Sequence, residues 1–287
     1  MTLCLCASVA IPLRASSTSV SRFAHVGKLD VIHFKSNALN AVRTVRVWRP
    51  PGFNQHTQYA VLYLNDGQNL FGDGDPDSDG GGWHVDESAA RLMAEHAIDP
   101  LIVVGIDNAG DESRALDYLP VPDPFSDNPE PPRADAYLTF VIDELMPFVD
   151  GKYPTRRDVG SRGFGGSSYG AASALYAMMA RPGVFGRVLL ESPSVGVGNG
   201  VLLERAATIT SWPQRIVMGV GTGEGRGGRG STSFQTLVDI FRKAGLGDDR
   251  LKVVVQEGGR HNEASWAARF PDALAFLFSS SNREHSQ

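Results

Sequence analysis

The sequence predicts one α/β domain, a mostly parallel central sheet with helices packed on both faces. Three observations predict it. Short apolar, β-branched runs alternate with longer amphipathic stretches along most of the chain, the order left by parallel strands and their crossover helices. The runs end in turn-forming residues, as Asn65-Asp66-Gly67 and Asp107-Asn108 do. The 287 residues are 42% apolar and 21% charged, a composition that builds a sizeable core and argues against disorder. The formal charge of −5 argues against a basic nucleic-acid surface. No apolar run reaches the roughly 18 residues of a membrane span.

In chain order, residues 42–48 alternate as a strand does, and residues 60–64 and 101–106 are compact apolar runs of buried-strand type. Residues 158–164 can form a short strand, and 187–190, 215–220 and 251–256 supply the later ones. Helical patterns cover 86–97, 134–149, 169–180, 233–244 and 265–278. Residues 119–132 hold six prolines, which predicts a long irregular loop that shapes a site rather than divides two domains. The expected organisation is a single domain over 29–281 and a polar tail over 282–287. Residues 1–28 form a leader with no acidic residue, several serines and two arginines, the composition of plastid or mitochondrial transit peptides. A secretory signal is the rival; Pro12 interrupts its apolar run and no basic residue precedes it. Both cysteines, Cys4 and Cys6, fall in this leader, so the domain holds no disulfide and no thiolate nucleophile.

Glycine is in surplus, 32 residues or about 11% against a typical ~7%. The surplus concentrates at three turns. Gly166-Ser-Ser-Tyr-Gly170 is the one G-x-S-x-G in the chain. Its strand-like approach and small-residue helix suit a nucleophilic Ser168 on a sharp strand-to-helix turn, where flanking Cβ atoms would clash. In that arrangement an acid and then a histidine follow the serine, each after a later strand. Only His261 and His285 lie beyond Ser168, and His285 sits in the polar tail. His261 follows the 251–256 strand through a glycine turn and is the candidate general base. Glu224, after the 215–220 strand, leads as the acid; Asp239, Asp248 and Asp249 are its rivals.

These motifs carry a resemblance. Tyr63-Leu-Asn-Asp-Gly-Gln-Asn-Leu-Phe71, Val104-Gly-Ile-Asp-Asn108, Arg162-Gly-Phe-Gly-Gly-Ser-Ser-Tyr-Gly170, Gly221-Thr-Gly-Glu224 and Gly258-Gly-Arg-His-Asn262 together resemble the esterase D-like "putative esterase" family of the α/β-hydrolase superfamily. That family includes enterochelin esterases, feruloyl esterases and mycolyltransferases, and the resemblance covers residues 40–278. It implies a three-layer α/β-hydrolase fold and a serine carboxylic-ester hydrolase. In that scheme Ser168 is the nucleophile, His261 the base and Glu224 the acid, and the backbone N–H groups of Gln68 and Tyr169 form the oxyanion hole. It implies a small-molecule or glycan-linked ester as substrate, and neither a cofactor nor a metal. Acyl transfer on the same fold and a non-catalytic ligand- or glycan-binding relative are the alternatives.

Trp83, Asn108, Arg114, Tyr118 and Trp266 lie near predicted strand-end loops and are candidates for the pocket wall, with core packing an equal reading for each. Arg114 to Pro120 is similar to a family segment, and a loop-fixing ion pair is its simpler reading. Asp75-x-Asp77-x-Asp79-Gly80 with Asp86 has the spacing of a calcium loop, but Pro76 and the missing entering helix favour a solvated acidic loop. Gly223-x-Gly225-x-x-Gly228 has dinucleotide spacing; Glu224 inside it would repel a pyrophosphate.

Overall fold

The computed structural model describes residues 26–72, 81–126, 128–225 and 232–280. Most of the leader, the Asp75–Asp79 acidic run, Gly228 and the 282–287 tail lie outside the described residues. Eight strands form one sheet in the order β1-β2-β4-β3-β5-β6-β7-β8. β1 (Lys28–Ser36) and β2 (Ala41–Arg49) pair as an antiparallel hairpin, and β2 runs antiparallel to β4 (Leu101–Ile106). From β4 onward every pairing is parallel, through β3 (Ala60–Asn65), β5 (Arg162–Ser167), β6 (Arg187–Glu191), β7 (Arg215–Gly221) and β8 (Leu251–Gln256). The turns after β3, β5, β7 and β8 therefore open on one edge of the sheet, where open α/β sheets carry their sites.

The central strands are buried on both faces. All six residues of β3 and all six of β4 are buried, which is why both read as unbroken apolar runs. The period of two still sorts their side chains. Val61 and Tyr63 enter one core with Ile102, Val104 and Phe164, while Leu62 and Leu64 enter the other with Val103, Trp83 and Phe270. Each such fully buried aliphatic or aromatic side chain is worth about 1.5–3 kcal/mol.

α1 (Val85–Ala94) and α8 (Glu263–Leu277) cover the second core. The first lies under α2 (Asp111–Tyr118), α3 (Ala134–Thr139), α4 (Met146–Lys152), α5 (Tyr169–Ala180), α6 (Val201–Ala206) and α7 (Thr232–Lys243). α5 is buried from Gly170 through Met178. Its alanines let it lie close on β5, so it is apolar nearly all round, as an interior helix is.

The expected helix over 134–149 is broken by a π-helical segment, Phe140–Leu145. Pro147 follows in the first turn of α4; without an N–H it cannot close the ordinary ladder, and a wider turn takes up the difference. The strand entering the Ser168 turn begins at Arg162 rather than 158, because residues 159–161 form a 3-10 turn. β1, α2 and α6 add to the predicted elements. α2, after Gly110, holds four charged residues among its eight and few apolar ones, so its periodicity was weak. Among the described residues, no helix is long and apolar enough to cross a membrane.

Candidate active site

Ser168 stands between β5 and α5 with φ 54° and ψ −120°, a conformation that costs a non-glycine residue of order 1–3 kcal/mol. The surroundings hold it there. A Cβ on Gly165 would stand 2.6 Å from the Cβ of Leu189, and one on Gly170 would meet the Asn65 side chain at 3.0 Å. The Ser168 N–H donates to the Glu191 carbonyl at 2.9 Å, and the Ser194 N–H donates to the Ser168 carbonyl at 3.2 Å. Across the turn, Asn65 Nδ2 donates to the Gly170 carbonyl at 2.8 Å, and the Tyr137 hydroxyl donates to Asn65 Oδ1 at 2.6 Å. Ser168 Oγ lies 3.1 Å from Ser194 Oγ.

The Glu224 and His261 turns are locked together. The Gly221 Cα lies so close to Gly259 that an added Cβ would stand 2.1 Å from the Gly259 carbonyl oxygen. The Gly223 N–H donates to that oxygen at 2.9 Å, and the Gly258 N–H to Thr222 Oγ1 at 2.8 Å. This contact brings His261 Nδ1 to 2.9 Å from Glu224 Oε2. The other carboxylate oxygen, Oε1, accepts from the Gly221 N–H at 2.8 Å and from the Ser192 hydroxyl at 2.7 Å. Burial works to raise the Glu224 carboxyl pKa, but the bonds from His261, Ser192 and Gly221 outweigh it and hold it below the ordinary value. The His261 ring stands edge-on to Trp266, centroids 5.2 Å apart. The acid rivals point elsewhere. Asp239 accepts from Gln235 and Asp248 from Arg242.

Among the described residues no hydrogen bond joins Ser168 to His261; both line the two cavities that flank the turn. The larger, about 730 Å³, has apolar walls that include Phe125, Val195, Val220 and Phe234. The smaller, about 560 Å³, is polar and includes Gln68, Asn69, Asn108 and Glu263.

The turn after β3 is built differently. Asp66 has φ 57° and is buried, and Arg114 grips its carboxylate with two bonds of 2.8 Å. Asn108 Nδ2 donates to Asp66 Oδ1 at 2.8 Å, and the Asp66 N–H donates to the Tyr118 hydroxyl at 3.2 Å. Burial acts to lower the Arg114 pKa, and the Asp66 charge reverses this and raises it. Gly67 packs on β4, where an added Cβ would meet Asp107 Oδ1 at 2.6 Å. The following N–H, that of Gln68, and the N–H of Tyr169 donate to no acceptor among the described residues.

The five pocket-wall candidates divide into core residues and cavity-lining ones. Trp83 is 2% exposed and packs against Trp266 and Phe270 in the core. Tyr118 is buried under Asp66. Neither lines the cavities beside Ser168. Asn108 borders the smaller cavity and Arg114 borders both, and each also gives polar atoms to Asp66. The ion pair of Arg114 is thus with Asp66, while Asp117 pairs with Arg43 and Arg133. Trp266 reaches the smaller cavity and donates its Nε1–H to Ser192 Oγ.

Ser192, Ser194, Glu191 and Arg269 belong to this neighbourhood and were not singled out from sequence. A signal existed: Glu191-Ser-Pro-Ser194 directly follows the strand beside β5. Glu191 is fully buried on Arg269 at 2.8 Å; burial carries its pKa up to about 7 against the pull of that guanidinium. The Gly223–Gly228 spacing leads to no phosphate cradle in its described part, since the Gly223 N–H is bonded to Gly259 and Glu224 to His261.

The chain matches the family model described as "Putative esterase" over residues 36–277. It is 28% identical over 169 residues to the uncharacterized protein YjcH of Bacillus subtilis, covering 59% of this chain and 63% of YjcH. The enterobactin esterase FES of Shigella flexneri superposes with a TM-score of 0.71 at 23% identity, covering 90% of this chain and 60% of that one. The ferulic acid esterase AmCE1/Fae1A of Anaeromyces mucronatus superposes at 0.66 with 17% identity, covering 86% and 89%. This chain therefore spans less than two thirds of YjcH and of FES. The eight-stranded sheet and these superpositions place the fold among the α/β-hydrolases. With the family model extending from β1 to the end of α8, the chain belongs to the "Putative esterase" family.

Proposed function

We propose that the protein hydrolyses carboxylic esters through a covalent acyl-enzyme on Ser168. The observation that carries this reading is that the strained Ser168 and the Glu224-bonded His261 line the same two cavities. With Nδ1 engaged by Glu224, Nε2 is the nitrogen free to take the Ser168 proton as Oγ attacks the acyl carbonyl. Contacts of this kind often close only when substrate is seated. Glu224 keeps the proton on Nδ1 and stabilises the imidazolium that forms. The N–H groups of Gln68 and Tyr169, with no acceptor among the described residues, suit the developing oxyanion, a role worth about 2.7–4 kcal/mol per donor lost. His261 then returns the proton to the leaving alcohol, and water activated by the same imidazole releases the acid.

The relatives named for enterobactin and ferulic acid hydrolysis and the apolar walls of the larger cavity support an aromatic or other apolar acyl group there. The alcohol portion would then lie in the polar cavity. Fluorophosphonate labelling of wild type and Ser168→Ala tests the nucleophile, alongside hydrolysis of p-nitrophenyl, feruloyl and catecholate esters. Labelling that survives in Ser168→Ala, or wild type inert to every ester, overturns the reading. We also propose that residues 1–28 address the chain to a plastid or mitochondrion. Fused to a fluorescent reporter they should direct it there, and diffuse fluorescence would reject this.

A further inference from the structure

A buried hydroxyl sits behind the acid. Ser192, 4% exposed, follows β6 with φ 45°, in the left-handed region that disfavours a side chain. Its Oγ faces three partners: Trp266 Nε1 at 2.8 Å, Arg269 Nη2 at 3.3 Å and Glu224 Oε1 at 2.7 Å. Indole and guanidinium nitrogens only donate, and a hydroxyl has one proton. The Ser192 proton therefore has one destination, Glu224 Oε1. The direction of this bond is dictated by its neighbours, unlike that of most serine hydroxyls.

Those neighbours are fixed in turn. Trp266 and Arg269 are three residues apart on α8 and so share a face of the helix. Arg269 is anchored at its far side by Glu191 at 2.8 Å and by Gln256 Oε1 at 2.6 Å. The Ser192 N–H is tied to the Gly219 carbonyl at 2.7 Å. The backbone strain at Ser192 persists inside this frame, as it does where a side chain must be aimed.

We infer that Ser192 is a positioning residue for the proposed triad: its hydroxyl, directed by Trp266 and Arg269, sets the plane of the Glu224 carboxylate and keeps it anionic toward His261 Nδ1. The inference rests on the assignment of Glu224 as the acid. The geometry accounts for each oxygen of that carboxylate. Oε1 is held by Ser192 and the Gly221 N–H, which leaves Oε2 alone for the imidazole. Without the Ser192 hydroxyl, Oε1 keeps one donor and the carboxylate can rotate about it, so the imidazole loses its fixed tautomer and orientation.

The test uses Ser192→Ala and Ser192→Gly in the full chain. Alanine removes the hydroxyl and keeps the strained φ; glycine removes the hydroxyl and relieves it. Both should lower kcat by about ten- to a hundredfold, the range for a lost hydrogen bond to a charged group, with KM unchanged. In both, the far-downfield proton resonance of His261 Nδ1–H, identified by its loss in His261→Gln, should disappear or move upfield. A wild-type kcat and unmoved resonance in either variant overturn the inference. So does recovery in Ser192→Gly of what Ser192→Ala loses, since that would assign the effect to backbone strain. The resonance is read without turnover, so its outcome stands apart from the Ser168 labelling that tests the esterase reading.

Discussion

The turn that carries Ser168 and the turn that carries Gln68 lie at the ends of adjacent strands, β5 and β3, and both hold a residue at positive φ. They differ in what dominates their hold. The first is walled by absence: its glycines let Leu189, Asn65 and the backbone approach to distances that no Cβ would permit. The second is held by presence. Asp66 is clamped by Arg114, Asn108 and Tyr118, side chains 42 to 52 residues away in sequence. Both turns carry a glycine that no Cβ could replace, Gly67 in the second, but the distant side chains that clamp Asp66 leave no mark in the turn's own residues. The pair also predicts different failures. Adding an atom damages the first, and removing a charge damages the second.

The largest expected effect lies at the chemistry common to both turns. Ser168→Ala and His261→Ala should each cut kcat by roughly 10⁴- to 10⁶-fold, and the double variant should lose little more, because residues acting as a unit are not additive. Active-site titration and steady-state ester hydrolysis check this. Additive losses would mean the two do not act together.

Glu224→Gln should cost roughly 10³- to 10⁴-fold, as loss of the orienting carboxylate does in other triads. It also has a stability signature. The folded carboxyl lies below its ordinary value, so its ionised form stabilises the fold at pH well above the unfolded value of about 4.3. That contribution is lost as the pH falls through this value toward the lower folded one. The gap in melting temperature between wild type and Glu224→Gln should be widest near neutral pH and narrow as the pH falls below the ordinary carboxyl value.

The clamped turn is tested by Arg114→Met, which leaves the buried Asp66 charge unpaired. Such a loss typically costs about 3–5 kcal/mol; ester turnover should fall about ten- to a hundredfold as the Gln68 N–H loses its aim. Adding Asp66→Asn removes the stranded charge and should restore part of the stability, the coupling expected of a contacting pair. A double variant as unstable as the sum of its parts would show that the clamp is not ionic. The walled turn is tested by Gly165→Ala. Its new Cβ meets Leu189 at 2.6 Å, an overpacking worth about 1–3 kcal/mol, or roughly 2–12 °C of melting temperature in a domain of this size. An alanine variant that melts like wild type would break the contrast between the two turns.

Legibility in the sequence followed the same line. The buried parallel strands were readable because burial on both faces writes an unbroken apolar run, as residues 60–64 and 101–106 show. The turns that hold Ser168, Glu224 and His261 were readable because each follows a strand and is marked by glycines. α2 was not, since its eight residues are mostly polar and its role is to carry Arg114 and Tyr118 to Asp66. Trp83 illustrates the ambiguity of a large side chain near a strand-end loop. Its neighbours Trp266 and Phe270 arrive from α8, nearly two hundred residues later, and settle it in the core.

The amino-acid sequence by itself determined the alternation of strands and helices, the glycines that make the three turns attainable, and the chain order of Ser168, Glu224 and His261. These are local properties, written in period, backbone freedom and chain order. Only the tertiary structure decided which carboxylate meets His261, which donors hold it, and that Arg114 serves Asp66 rather than Asp117. Hydrogen bonds and ion pairs depend on distances of a few ångströms between residues far apart in the chain. Those distances exist only once β6, β7, β8 and α8 have packed together.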